Sequence, residues 1–120
     1  MEIELKNRHF YKGPGVYIGR TNRKENLIGG PLQNEFTVER YGRQKAISLY
    51  KEKLEKEMQN PNSPMFIEID RLAKKYIAGE KVILICWCYP EACHGDVVKL
   101  MIERQVKKIL TERNKKSTRN

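Results

Sequence analysis

The reactive side chains of this sequence are concentrated in one short window, residues 86–96. All three cysteines and one of the two histidines lie in the segment Cys86-Trp87-Cys88-Tyr89-Pro90-Glu91-Ala92-Cys93-His94-Gly95-Asp96. Thiols, an imidazole and a carboxylate are the groups that proteins use for metal binding, nucleophilic attack and proton transfer. Any chemistry of this protein is therefore expected in this window.

The window falls where a strand gives way to a helix. The run Val82-Ile83-Leu84-Ile85 is apolar at every position, which is typical of a parallel strand buried on both faces. Helical spacing of apolar residues then predicts a helix from about His94 to Thr111. If the strand continues, Cys86 and Cys88 share one face with Cα atoms about 6.7 Å apart, and Trp87 is a core residue on the other. α/β proteins often build ligand sites at such junctions.

Three interpretations of the window stay open, and two of them give it no catalytic role. In the first, Cys86, Cys88, Cys93 and His94 bind zinc as a Cys₃His set, with spacing that is compressed relative to common zinc modules. In the second, the residues are structural, because buried cysteines behave as small hydrophobes. Asp96 would then only complement the dipole of the helix.

The third interpretation, which we favour, is an anion-binding site that is also a candidate catalytic site. The free N–H groups at a helix start bind phosphate or carboxylate. A Cys93 thiolate at that position would have a lowered pKa and be nucleophilic. His94 or Asp96 would move protons, and Gly95 would let a ligand approach the backbone.

The rest of the chain predicts the elements that position this window. Strands are expected near residues 2–10 and 16–20, and helices over 38–59 and 64–78, the second capped by Ser63. The predicted order is β-β-α-α-β-α, a small α/β fold whose mostly parallel sheet of about three or more strands carries helices packed on it. Residues 1–113 are predicted to form one domain, and 114–120 a flexible basic tail.

Charge and composition limit the partners and the compartment. The formal net charge is +9, and residues 104–120 carry seven basic residues against one acidic residue. Such an end can hold nucleic-acid phosphates without sequence preference, or it can simply keep the protein soluble. No apolar run approaches the roughly 20 residues that span a bilayer. Three clustered cysteines make a poor disulfide framework, so a cytoplasmic location is expected, in a bacterium or in the host of a phage.

Several of these motifs resemble a known family. The blocks Cys86-Trp87-Cys88 and Cys93-His94-Gly95-Asp96-Val97 are similar to the signature of the bacterial and phage family called domain of unknown function 4326. Val16-Tyr17-Ile18-Gly19-Arg20 resembles its Tyr-Ile-Gly-Arg strand. Pro31-Leu32-Gln33-Asn34-Glu35-Phe36 stands where the family has Pro-Leu-Gly-Asn-Pro-Phe, with departures at positions 33 and 35.

The resemblance implies a grouping of residues rather than a reaction. Arg20, Asn34 and the 93–96 turn are its matching polar positions, and they would meet at the carboxyl edge of a parallel sheet. Arg20 would hold a negative charge and Asn34 would orient the ligand. Each also has a simpler role, Arg20 as a solvated strand end and Asn34 as a turn former.

We therefore expect a small protein that binds an anionic ligand, a nucleotide or a nucleotide derivative, at this turn. Whether it also transforms the ligand stays open at this stage. The alternative is a non-enzymatic module that is stabilised by bound zinc and binds nucleic acid through the basic tail. No membrane partner is expected.

Overall fold

The fold has three strands and four helices in its described part. The structure, a computed structural model, describes residues 2–89 and 91–118, with side chains as far as residue 115. In chain order the elements are β1 (Ile3–Asn7), β2 (Val16–Tyr17), α1 (Val38–Tyr41), α2 (Arg43–Glu57), α3 (Pro64–Ile77), β3 (Val82–Cys86) and α4 (His94–Thr118). The predicted α/β class is confirmed. Proline cannot donate a hydrogen bond within a sheet, so the sequence predicts that the third strand ends by Pro90, a residue that lies outside the described residues.

The sheet is parallel, and β3 is its central strand. The strand order is β1-β3-β2, and both outer strands run parallel to β3. Asn7 pairs with Cys86 and Tyr17 with Ile85, so all three carboxyl ends lie at one edge. The central position agrees with the apolar composition of the Val82–Cys86 segment, in which four of the five residues are buried and Ile83 is half-buried.

The helix predicted over residues 38–59 is two helices, α1 and α2. Gly42 separates them with a φ of +81°, a left-handed conformation that glycine adopts without steric cost. Thr37 starts α1 by accepting a hydrogen bond from the N–H of Arg40 at 3.2 Å. The prediction of one continuous helix was wrong here, because the apolar spacing runs through Gly42 and masks the break.

The third helix begins where the sequence predicted. The Ser63 hydroxyl accepts a hydrogen bond from the N–H of Met65 at 3.2 Å, and Pro64 is the first helical residue. Proline suits that position because its missing N–H would have no partner within the helix. Gly79, with a φ of +88°, follows the helix end.

The core lies between the sheet and the helices α2, α3 and α4. Its fully buried side chains include Leu54, Ile69, Leu72, Leu84, Val98 and Ile102. Tyr50 is also buried, and its hydroxyl donates to the backbone oxygen of Leu32 at 2.7 Å. That bond fastens the loop before α1 to α2, beside the edge where the strands end.

The last helix is longer than predicted. It continues to Thr118 rather than ending near Thr111, because no glycine or proline interrupts the segment. Arg119 and Asn120 lie outside the described residues, and the flexibility expected of 114–120 stays a prediction. None of the described helices is both long and apolar enough to cross a membrane.

Candidate functional site

The start of α4 is held by a reciprocal pair of hydrogen bonds. Cys93 directly precedes the helix, and its Sγ accepts a bond from the N–H of Gly95 at 3.2 Å. In return Asp96 Oδ2 accepts from the N–H of Cys93 at 3.1 Å. This arrangement resembles a capping box, but a thiol replaces the usual hydroxyl and its donor is the N–H of the second helical residue rather than the third. Although Asp96 is exposed, its hydrogen bond with Cys93 therefore helps to stabilise the start of α4.

His94 is buried and fixed in one tautomer. Its Nε2 lies 2.7 Å from the backbone oxygen of Ile18, and its ring packs edge-on against Tyr50 with the centroids 5.0 Å apart. A carbonyl oxygen can only accept, so Nε2 carries the proton. Burial lowers the pKa of His94 and the charge of Arg20 lowers it further, against opposing effects of Ile18 and Asp96. The imidazole is therefore neutral at pH 7, with Nδ1 free of a proton.

The three cysteines form one cluster around Cys93. The Sγ atoms of Cys86 and Cys93 lie 3.6 Å apart, and both side chains are buried. Cys88 is half-buried and lies beyond the end of β3, so the strand alternation predicted to align it with Cys86 does not apply.

Shared hydrogen bonds set the pKa values of these thiols. A bond from Cys93 lowers the pKa of Cys86 to about 6 and, together with a bond from Arg43, lowers the pKa of Cys88 to about 6. The same interactions raise the pKa of Cys93, because its single S–H proton is held between the sulfur atoms of Cys86 and Cys88. The lowered pKa expected for Cys93 was wrong, and it falls instead on the two neighbouring thiols. The catalytic role of Cys93 stays a prediction.

A pocket of about 100 Å³ opens at the carboxyl ends of β2 and β3. It brings together four residues that the sequence singled out: Arg20, Asn34, Cys93 and His94. The family resemblance had implied this grouping of Arg20 and Asn34 with the 93–96 turn, and the parallel strands, which end at one edge of the sheet, bring these residues to the same pocket.

The other two predicted site residues do not line this pocket. Asp96 faces a different, open surface beside β1. Gly95 packs against the sheet, where an added Cβ would lie 2.8 Å from Leu5 Cδ2 and 3.3 Å from Ile18 Cδ1. Its lack of a side chain lets α4 approach β1 closely. The ligand contact predicted for Gly95 stays a prediction.

Arg20 and Asn34 present free polar groups at the pocket. Arg20 is exposed and forms no ion pair with any of the residues that the structure describes. Asn34 Oδ1 accepts a hydrogen bond from the N–H of Phe36 at 2.9 Å, which shapes the loop. Because Oδ1 faces the backbone of its own loop, the Nδ2 group is the part of Asn34 that can donate to a ligand.

Arg43 is a pocket residue that the sequence reasoning missed. Its guanidinium donates to the backbone oxygen of Ala92 at 2.9 Å and pairs with Glu91 at 2.8 Å. Its hydrogen bond to the Cys88 sulfur and its positive charge also help to lower the pKa of Cys88. These contacts cross about fifty positions of sequence, which no local pattern reveals. The only signal was Gly42, which turns the chain immediately before Arg43.

Trp87 is a second difference from the sequence-based prediction. It was expected in the core, but it is half-buried and lines the pocket. Its Nε1–H donates to the Tyr17 hydroxyl at 2.9 Å, and that hydroxyl donates to the backbone oxygen of Arg20 at 2.6 Å. This chain of bonds positions the backbone of Arg20 against the end of β3.

The residues do not fit a zinc site. Nowhere in residues 2–89 and 91–118 do three or more His, Cys, Asp or Glu side chains take an arrangement that could hold a metal ion. The Nε2–H of His94 donates to the backbone oxygen of Ile18, and the thiol of Cys93 donates a hydrogen bond to the sulfur of Cys86. The three thiols therefore pack as a hydrogen-bonded cluster, and His94 is held separately by the backbone oxygen of Ile18.

Comparison with known proteins supports the family resemblance. Searches of curated proteins and of solved structures gave no significant match. The family described as domain of unknown function (DUF4326) matches residues 3–104, which contain every strand of the sheet and all pocket residues. The chain therefore belongs to the DUF4326 family, a domain whose function is not established.

Proposed function

We propose that the protein binds an anionic small molecule of the nucleotide class in the pocket at the carboxyl ends of β2 and β3. One observation carries the proposal: the same pocket is lined by two arginines, Arg20 and Arg43, and two aromatic rings, Phe36 and Trp87. Guanidinium groups suit phosphate and carboxylate. Aromatic side chains provide a face on which the base of a nucleotide can stack.

Arg20 is the better anchor of the two arginines. It is exposed at the pocket and has no carboxylate partner among the described residues, so an incoming anion displaces no existing ion pair. Arg43 is already held by Glu91 and by the backbone of Ala92. It contributes a fixed positive charge that stays in place whether or not ligand is bound.

Asn34 and His94 supply neutral hydrogen-bonding groups. The Asn34 amide would donate through Nδ2, since Oδ1 is bonded to Phe36. The neutral His94 ring would accept through Nδ1. A nitrogen of that kind can also serve as a general base. Catalysis with Cys93, His94 and Asp96 stays a prediction, and among these three only Cys93 and His94 line the pocket.

The size of the pocket limits how much ligand it encloses. Its volume of about 100 Å³ is below the range of roughly 300–1,000 Å³ that is usual for sites enclosing a whole small molecule. It would therefore enclose one end of a nucleotide and leave the remainder at the surface, where Arg20 is exposed.

Isothermal titration calorimetry tests this proposal. The ligands are nucleoside mono-, di- and triphosphates, the uncharged nucleoside and inorganic phosphate. We expect nucleotide binding that Arg20→Ala weakens about tenfold or more, a loss of about 1.4 kcal/mol. The matched control is Arg23→Ala, which removes an exposed arginine outside the pocket. The absence of binding, or equal losses in both variants, would overturn the proposal.

A second candidate function is nucleic-acid binding by the basic end of α4. Lys107, Lys108 and Arg113 are exposed along this part of the helix, and spaced cations can neutralise successive phosphates. Fluorescence anisotropy with labelled single- and double-stranded DNA and RNA tests it at several salt concentrations. Deleting residues 114–120 should reduce both the affinity and its dependence on salt. Unchanged binding after the deletion would contradict a role for that segment.

A further inference from the structure

We propose that Cys86 and Cys93 form a redox-active thiol pair that hydrogen peroxide, entering through the pocket, oxidises to a disulfide. This modification site goes beyond the proposed ligand binding, because the oxidation requires no anionic ligand. It also uses Cys86, to which the ligand site gives no role.

The first argument is the distance between the two sulfur atoms. They lie 3.6 Å apart, whereas a disulfide bond measures about 2.05 Å. Closing the gap requires a movement of about 1.5 Å. Cys86 is the last residue of the central strand β3, and Cys93 directly precedes α4. The two cysteines are also close in sequence, with six residues between them.

The second argument is access by a small oxidant. Cys86 and Cys93 are 1% and 4% exposed, so bulky reagents cannot reach them from the surface. Both nevertheless line the pocket of about 100 Å³. A water molecule takes about 30 Å³ in the liquid, and hydrogen peroxide is only slightly larger. The pocket therefore admits a peroxide and excludes a tripeptide disulfide such as oxidised glutathione.

The third argument is the direction of the hydrogen bond between the thiols. Cys93 donates to the sulfur of Cys86, which favours the thiolate at Cys86 and lowers its pKa to about 6. Cys93 itself accepts from the N–H of Gly95. Cys86 is therefore the attacking sulfur, and Cys93 keeps its proton for the second step. The thiolate is the form that attacks peroxide, and Cys93 gives up its proton only as its own sulfur attacks in the second step.

The reaction balances with hydrogen peroxide as the oxidant. The Cys86 thiolate attacks one peroxide oxygen, the O–O bond breaks, and hydroxide leaves and takes up a proton to become water. This gives a sulfenic acid at Cys86. The Cys93 sulfur then attacks the Cys86 sulfur, the S–S bond forms, and the hydroxyl leaves as water with the thiol proton. Overall the two thiols lose two electrons and two protons, and one peroxide becomes two waters.

Cys88 supplies the matched control for the test. It lines the same pocket but is half-buried, so Cys88→Ser removes one thiol and leaves the proposed pair intact. The 120-residue protein is treated with hydrogen peroxide without any ligand. It is then denatured so that every free thiol can be alkylated, and the linkage is mapped by mass spectrometry. We expect wild type to fall from three free thiols to one and Cys88→Ser from two to none. Both should contain a Cys86–Cys93 linkage that dithiothreitol reverses.

Several results would contradict the proposed Cys86–Cys93 pair. Three free thiols in peroxide-treated wild type, a linkage through Cys88, or cross-links only between molecules would overturn the proposal. Oxidised glutathione should form the Cys86–Cys93 linkage more slowly than peroxide, and equal rates would contradict access through the pocket. Cys93→Ser should not form the linkage. If that variant fails to fold, the mapping of the linkage in peroxide-treated wild type remains the test of the proposal. Because no nucleotide is present, a negative result would leave the proposed ligand binding untouched.

Discussion

The Nε2 atom of His94 lies 2.7 Å from the backbone oxygen of Ile18. This contact joins the first residue of α4 to the residue that follows β2, at the edge of the sheet where the pocket opens. Both residues are buried. The bond thus couples the stability of the fold to the geometry of the candidate site.

Removing the imidazole should therefore destabilise the protein. His94→Ala leaves the buried Ile18 oxygen without its partner, which typically costs about 1–3 kcal/mol. Lost packing against Tyr50 adds to that cost. His94→Gln should lose less, because its terminal amide can still donate at a similar distance from the backbone. Urea unfolding measures both variants, and equal losses would show that ring volume, rather than the hydrogen bond, matters here.

The lowered pKa of His94 predicts a specific pH dependence. The folded protein binds the His94 proton less tightly than the unfolded chain does, whose histidine titrates near 6.5. The contribution of neutral His94 to stability is therefore complete above pH 6.5. It declines as the pH falls from 6.5 towards the lower pKa of the folded state.

Cys86 and Cys88, with pKa values of about 6, titrate in an overlapping window. The measurement is therefore the difference in free energy of unfolding between wild type and His94→Gln, because both proteins keep those thiols. We expect the advantage of wild type to shrink between pH 7.5 and about pH 5. A constant difference across that interval would contradict the assigned pKa shift.

Much of this architecture followed from local patterns in the sequence. The apolar Val82–Cys86 strand, the Ser63-Pro64 helix start and the strand-to-helix junction at Cys93 each depend on neighbouring residues, and each was confirmed. The parallel pairing then followed from a rule of fold topology. The family resemblance had grouped Arg20 and Asn34 with the 93–96 turn, and the parallel pairing places Arg20, Asn34 and His94 at one pocket.

Long-range contacts between side chains could not be predicted in this way. Arg43 reaches the pocket only because Gly42 turns the chain and Ala92 offers a carbonyl 49 positions away. Trp87 turns to the Tyr17 hydroxyl rather than into the core. The pKa order of the thiols depends on which sulfur donates, and that is a property of packing which the spacing of the cysteines does not specify.

Gly95 provides a test of close packing between helix and sheet. Alanine normally favours a helix over glycine by about 1 kcal/mol, but here the new Cβ would lie 2.8 Å from Leu5 Cδ2. Gly95→Ala should therefore be destabilising by about 1–3 kcal/mol, as overpacked cores are. In a double-mutant cycle, Leu5→Ala should recover part of that loss. Additive losses would contradict the proposed clash.

Chelation tests the conclusion that the residues do not fit a zinc site. The thiol cluster and His94 are held by internal hydrogen bonds, so we expect the fold to be stable without a metal. Dialysis against EDTA should leave the melting temperature unchanged, and purified protein should contain well below one equivalent of zinc by elemental analysis. One equivalent of zinc, removed together with a large fall in melting temperature, would restore the metal interpretation.

Substitutions of Asp96 distinguish a role in capping α4 from a role in catalysis. Asp96→Ala removes the acceptor for the Cys93 N–H and a negative charge at the positive end of α4. We expect a loss of about 0.5–2 kcal/mol, as for other helix caps. Asp96→Asn keeps an acceptor oxygen, so it should lose less. Because Asp96 lies outside the pocket, both variants should bind nucleotide as wild type does in calorimetry. A variant with unchanged stability but lost binding would assign Asp96 to the ligand site instead.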